Sequence, residues 1–138
     1  MADNTLRFEL VAPERLLASE EVDMVVLPGS EGDFGVLPQH APFLSLLRPG
    51  IIGIYRGDKL ERRIFVAGGF AEVNGQGCIV LGEAAEPVDE LDAEKARQAL
   101  KNAEEDLADA KEPSESERER LERAIRVAQA RLEAAEAA

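Results

Sequence analysis

The chain has no tryptophan, one tyrosine, one histidine and one cysteine among 138 residues, and each shortage closes off a class of function. With aromatics at 4% and apolar residues at 45%, any core must be built from aliphatic side chains. A lone cysteine, Cys78, permits no intrachain disulfide, and its place in an apolar run reads as a buried, inert thiol in a protein of a reducing compartment. The sole histidine, His40, has no carboxylate or second thiol at ligand spacing, so neither a metal site nor a hydrolytic triad can be assembled around it. No cluster of Lys and Arg offsets a net charge of −12, which repels phosphate backbones and anionic lipid, and nucleic-acid binding is not expected. No apolar stretch approaches the roughly 20 residues that span a bilayer. The opening Met1-Ala-Asp-Asn-Thr has neither a secretory nor an organellar leader pattern. Membrane association is therefore expected only through partners.

What is present falls into two halves with different grammar, and the length suits one compact domain with a modest appendage. Residues 1–86 are rich in Val, Ile, Leu, Phe and Gly, in short runs separated by turn signals. Leu6, Phe8 and Leu10 alternate with Arg7 and Glu9, the period of a half-buried strand. Further runs at 15–19, 22–27, 34–37, 43–47, 51–56, 61–67, 70–74 and 78–81 read as strands. Between them lie Pro28-Gly29, Pro49-Gly50, Gly57-Asp58, Gly68-Gly69 and Asn74-Gly75, which fix φ or permit positive φ where the chain reverses. Many short strands at this spacing predict an all-β sandwich or barrel.

Residues 87–138 contain no glycine and are dense in Ala, Glu, Arg and Leu, which favour helix. Ala96, Ala99, Leu100, Ala103, Leu107 and Ala110 share one stripe of a first helix, and Leu121, Ala124, Ile125, Ala128, Leu132 and Ala135 share one stripe of a second. Pro113 breaks the first, and Ser114 with Glu117 has the spacing of a capping box that starts the second. An antiparallel helical hairpin is predicted. Its alanine stripe buries little area at about 25 cal/mol per Å², so the hairpin is expected to be marginal alone and free to detach or extend. Arg118, Arg123, Arg126 and Arg131 lie away from the second stripe's centre, as an ordinary solvated face or as a contact for an acidic partner surface.

Few residues suggest chemistry. Gly29-Ser-Glu-Gly-Asp-Phe-Gly35 looks like a phosphate loop but lacks the Gly-Lys-Ser/Thr ending and a following helix, so it reads as a tight turn between strands. Arg56-Gly57-Asp58 stands where a hairpin turn is wanted in any case. His40, between Pro38 and Pro42, suits a turn or an interface. None of the many carboxylates sits in an apolar setting that would raise its pKa for acid–base work. The residues alone therefore describe a binding or structural module, not an enzyme.

Particular stretches say more. Gly29-Ser-Glu-Gly-Asp-Phe-Gly-Val-Leu-Pro-Gln-His-Ala-Pro42, then Leu47-Arg-Pro-Gly-Ile51, resembles the signature region of ATP synthase epsilon subunits. Phe65-Val-Ala-Gly-Gly-Phe-Ala-Glu-Val-Asn74 resembles that family's second segment, and Leu91-Asp-Ala-Glu-Lys-Ala96 falls where its helical domain begins. The resemblance implies a sandwich of about ten strands followed by an antiparallel helix pair. It further implies a non-catalytic central-stalk subunit, homologous to the mitochondrial delta subunit, that joins gamma to the c-ring and rotates with them as protons cross the membrane. Residues 1–86 would form the sandwich and 87–138 the helix-loop-helix domain, at the cytoplasmic face of a bacterial plasma membrane.

By the same resemblance Glu31 is expected against the polar loops of the c-ring, with His40 and Phe43 in the segment associated with rotor assembly. In some relatives the hairpin opens and its last helix meets an acidic segment of the catalytic beta subunit, a contact that Arg118, Arg123, Arg126 and Arg131 would suit. The weakly basic tail implies a hairpin that brakes ATP hydrolysis weakly or not at all. Some relatives also bind regulatory ATP in the folded hairpin. Here Asp92 is retained, but Lys95 replaces the motif's arginine and gives up its bidentate fork; Asp92 has an alternative role at a helix N-terminus. No resident cofactor is expected, with regulatory ATP as the alternative.

Overall fold

The computed structural model describes residues 5–39 and 41–137. Ten strands come first: β1 (Leu6–Ala12), β2 (Arg15–Val22), β3 (Met24–Gly29), β4 (Gly32–Val36), β5 (Phe43–Leu47), β6 (Gly50–Arg56), β7 (Lys59–Val66), β8 (Gly69–Asn74), β9 (Gly77–Gly82) and β10 (Ala85–Pro87). A 3-10 turn at Val88–Glu90 leads into α1 (Ala93–Asp109) and α2 (Glu115–Glu136). The predicted all-β sandwich followed by two helices is what forms.

The strands pair in the order β10-β7-β6-β3-β5-β8-β9-β1-β2, with β4 on the other edge of β3. The ladder is thinnest in the middle, where β3 and β5 share one registered pair, Gly29 with Leu47. There the sheet folds into two layers, β4-β3-β6-β7-β10 and β5-β8-β9-β1-β2. Two chain segments turn the corner between layers: β2 passes into β3 through Asp23, and β5 into β6 through Arg48-Pro49. All pairs are antiparallel except β1 with β9.

Alternation decides which side chains point inward. In β1 the buried set is Leu6, Phe8, Leu10 and Ala12, as the period-2 pattern requires. Phe8, Leu10, Leu27, Ile52, Ile54 and Ile64 are sealed from solvent, and Phe34 meets Phe43 edge to face at 5.3 Å against this core. Two glycines are required by close backbone approach: a Cβ on Gly69 (φ +137) would lie 2.1 Å from the Leu81 carbonyl, and one on Gly77 (φ +148) 2.2 Å from that of Arg7. At the far corner, guanidinium groups bridge the layers. Arg62 donates to the Leu17 carbonyl and to Glu20, and Arg56 to the Glu21 carbonyl and to Glu20.

The helices start where their caps sit. The Asp92 carboxylate accepts the backbone N–H of Glu94 (2.9 Å) and Lys95 (3.2 Å), opening α1. Ser114 accepts the N–H of Glu117 at 3.1 Å, opening α2 as the capping-box spacing predicts. Between them Glu112 takes a left-handed φ of 47° before Pro113. The helix pair closes on Ala96, Ala103, Leu121, Ala128 and Leu132, all buried. The predicted stripes are narrower than expected, since Ala99 and Ala124 are exposed.

A second stripe on α2 was not expected. Val127, Ala130 and Ala134 lie about 140° around the helix from the first, at 100° per residue, and pack on Phe65, Ala67, Val88, Ile51 and Leu91. α2 is thus apolar on two sides and lies between α1 and the outer face of β6 and β7.

Candidate partner-binding surfaces

Each layer of the sandwich has an outer face, and their fates differ. On the β6-β7-β10 face, Ile51, Phe65 and Glu86 stand in register across three strands, and the second stripe of α2 covers them. On the other face, Leu46, Phe70, Leu81, Val11 and Leu16 are successive cross-strand partners from β5 through β8, β9 and β1 to β2. Among the described residues nothing covers this row: Leu46 is 68% exposed, Leu16 61%, Leu81 41% and Phe70 39%. Leu44 and Ile79, also exposed, extend it by one residue, with Glu72 between them. Scattered exposed leucines are ordinary, but a continuous apolar ribbon across five strands marks a surface meant for contact. Sequence reasoning missed it. The available signal was that Phe43–Leu47 and Gly77–Gly82 are apolar on both faces, whereas a strand with one wet face should alternate.

The residues singled out in the sequence fall in three places. Glu31 is at the exposed tip of the β3–β4 turn and makes no ion pair or side-chain hydrogen bond among the described residues. Phe43 is half-buried at the start of β5, with its ring against Phe34. His40 lies outside the described residues.

The arginines of α2 do not form a uniform solvated face. Arg123 is paired with Glu83 in the β9–β10 connection. Arg131 reaches Glu86 of β10 at 3.0 Å, and its guanidinium carbon stands 5.0 Å from the Phe65 ring centre. Its Nε is buried with no hydrogen-bond partner, so the cation–π contact and the ion pair offset an unmet donor. Arg126 pairs with Glu119 on its own helix at 3.0 Å, while Arg118 makes no ion pair among the described residues.

Asp92 is held by its capping role, and Lys95 is exposed beside it. Both line a cleft with Glu86, Glu90 and Arg131. Burial pushes the Cys78 thiol up to about 12, so it stays protonated at neutral pH. Among the described residues no cluster of His, Cys, Asp and Glu is arranged to hold a metal, and no helix is long and apolar enough to cross a membrane.

Comparison with known proteins agrees with this architecture. The family model for the beta-sandwich domain of the ATP synthase delta/epsilon chain matches residues 5–88. The ATP synthase epsilon chain of Rhodospirillum rubrum is 51% identical over 97% of this chain and 98% of its own length. That of Paramagnetospirillum magneticum is 56% identical over 77% of this chain and 80% of its own. Among solved structures, a chain of the Euglena gracilis mitochondrial ATP synthase assembly of OSCP, F1 and c-ring superposes with a TM-score of 0.77 at 29% identity. It covers 96% of this chain and 81% of that one. A chain of the Tetrahymena thermophila central stalk and c-ring has the same fold, at a TM-score of 0.70 and 12% identity, over 94% of this chain and 96% of that one. A sandwich match over residues 5–88 and half-identical relatives, one of them spanning nearly the whole chain, leave one assignment: the chain belongs to the ATP synthase epsilon-chain family.

Proposed function

We propose that the chain is a non-catalytic rotor subunit that fastens a gamma-type stalk subunit to the c-ring and carries torque between them as protons move. The observation that carries this reading is the uncovered apolar row Leu46, Phe70, Leu81, Val11 and Leu16. A rotor joint must resist shear, and a flat five-strand apolar face backed by a sealed core gives it broad, rigid contact. The gamma-type subunit occupies this face. Glu31, at the tip of its turn, meets the polar loops of the ring, and the sandwich of residues 1–86 is enough for both contacts. The complex works at the cytoplasmic face of a bacterial plasma membrane, where partners hold the chain.

The test is binding of the full chain to gamma. Leu46→Glu with Phe70→Glu, both exposed and outside the sealed core, is expected to weaken binding at least ten-fold, since two interface anchors of this kind together exceed about 1.4 kcal/mol. The melting temperature should stay near that of the unaltered protein. Unchanged affinity would remove the face from the reading.

A second role concerns the hairpin. Arg123 and Arg131 are engaged by Glu83 and Glu86, so an acidic segment of the catalytic beta subunit gains them only when α2 leaves the sandwich. The hairpin therefore brakes ATP hydrolysis weakly, because docking competes with the braking contact. The ATPase rate of the catalytic head with gamma, compared with full-length chain and with chain ending at Pro87, checks this. A strong inhibition by the full-length chain would contradict it.

A further inference from the structure

We infer that Arg48 is a positioning residue for the ring contact: it fixes the β3–β4 turn and neutralises Asp33, so that the turn offers a single carboxylate, Glu31, to a cationic group on the ring loop. This rests on the proposed contact of Glu31 with the ring.

The geometry is that of a clamp across the foot of a hairpin. Gly29 and Gly32 are the last registered pair of β3 and β4, which leaves Ser30 and Glu31 as the turn. Arg48 stands at the corner where β5 passes into β6. One of its terminal nitrogens donates to the Gly29 carbonyl at 2.6 Å, and the other to Asp33 Oδ1, also at 2.6 Å. The two arms therefore hold both stems of the turn. The backbone reinforces the grip, with the Arg48 N–H donating to the Pro28 carbonyl and the Ser30 N–H to the Leu46 carbonyl, each at 2.9 Å. A Gly29 Cβ would strike the Phe34 ring at 2.8 Å and the Gly32 carbonyl at 2.6 Å, so the stems close too tightly for any residue but glycine at that position.

The turn carries two carboxylates, Glu31 and Asp33, within three residues. A planar guanidinium bonded to Asp33 cancels one charge locally and leaves the other at the tip. Without Arg48 the turn would draw a cation more strongly overall, but that pull would be split between two carboxylates on a turn no longer held at its stems, and the lost positioning of Glu31 outweighs the added charge. Arg48 is exposed enough to be replaced without opening the core.

The experiment uses the full chain in the reconstituted enzyme in sealed vesicles. It reads proton pumping per ATP hydrolysed and the affinity of the chain–gamma complex for the ring, with a thermal melt as control. Glu31→Ala sets the scale. Arg48→Ala is expected to lower ring affinity roughly two- to five-fold, the range of exposed charge contacts, while gamma binding is unchanged. Arg48→Lys, which keeps the charge but not the two-armed fork, should recover only part. Asp33→Asn, which leaves the bond to Gly29, should fall between them and is the variant of record if Arg48→Ala unfolds. The decisive outcome is the double change: adding Arg48→Ala to Glu31→Ala should cause no further loss, because one acts through the other. Additive losses would mean that Arg48 serves only the stability of the sandwich, and the inference fails. If Glu31→Ala itself has no effect, the ring contact is misassigned and the inference falls with it. If Glu31→Ala weakens the ring contact but neither Arg48→Ala nor Asp33→Asn does, the ring contact stands and only the inference fails.

Discussion

The sandwich and the hairpin solve the same problem, burying a chain of few aromatics, in opposite ways. The sandwich interdigitates β-branched and phenyl side chains from two layers until Phe8, Leu10, Ile52 and Ile54 are fully sealed. The hairpin meets itself through three alanines and two leucines and joins the sandwich through Phe65, smaller aliphatic residues and two arginines. Large, tightly enclosed side chains make a unit that melts all at once. Small side chains and exposed ion pairs make a joint that can part while the unit stays folded. The same contrast separates the two outer faces: one is covered by the chain's own helix, and the other is left bare among the described residues.

The largest expected effect breaks the contrast from the sandwich side. Phe8→Ala removes a ring with no exposed surface and should cost about 3–5 kcal/mol, collapsing sandwich and hairpin together in one thermal transition by circular dichroism. A melt that lost the strands and left the helices folded would contradict the contrast. Arg131→Ala tests the joint. Losing the ion pair to Glu86 and the contact with Phe65, less the relief of the unmet Nε, should weaken docking by about 1–2 kcal/mol. Amide exchange in α2 should then quicken while exchange in β1 and β9 does not. Arg131→Met, which keeps an apolar stem over Phe65 without a buried donor, should hold the docked state better than Arg131→Ala. The smallest effect lies within the hairpin. Ser114→Ala removes the cap of α2 and should cost about 1 kcal/mol, seen as faster exchange in the first turn of α2 with no change in the sandwich melt.

Much of the fold was legible because its signals are local. The alternation of Leu6, Phe8 and Leu10, the glycine and proline turns, and Ser114 with Glu117 each act over a few residues. What was missed depends on neighbours distant in sequence. β10 is only Ala85-Glu86-Pro87, too short for a period, and its proline is tolerated because β10 is an edge strand. The second stripe of α2 was hidden because Val127, Ala130 and Ala134 share their side of the helix with Arg123, and an arginine in a stripe reads as a wet face. Its carboxylate partner, Glu83, is forty positions away. Glu31 was singled out only through resemblance, since nothing about one glutamate in a turn separates it from the others; the bonds from Arg48 to Gly29 and Asp33 on either side of it are visible only once the corner of β5 and β6 brings Arg48 there.

The path of the chain through the hairpin has a kinetic consequence. α1 follows the sandwich in sequence yet is not the helix that docks on it; the chain runs out along α1, reverses at Glu112 and Pro113, and returns along α2. A detached α2 is therefore never dilute: short covalent leashes keep a released segment at an effective concentration on the order of millimolar. Redocking is a first-order event whose rate is indifferent to how much protein is present. An external competitor for α2 has to offset that return, and slow dissociation lets it do so at concentrations well below the effective one.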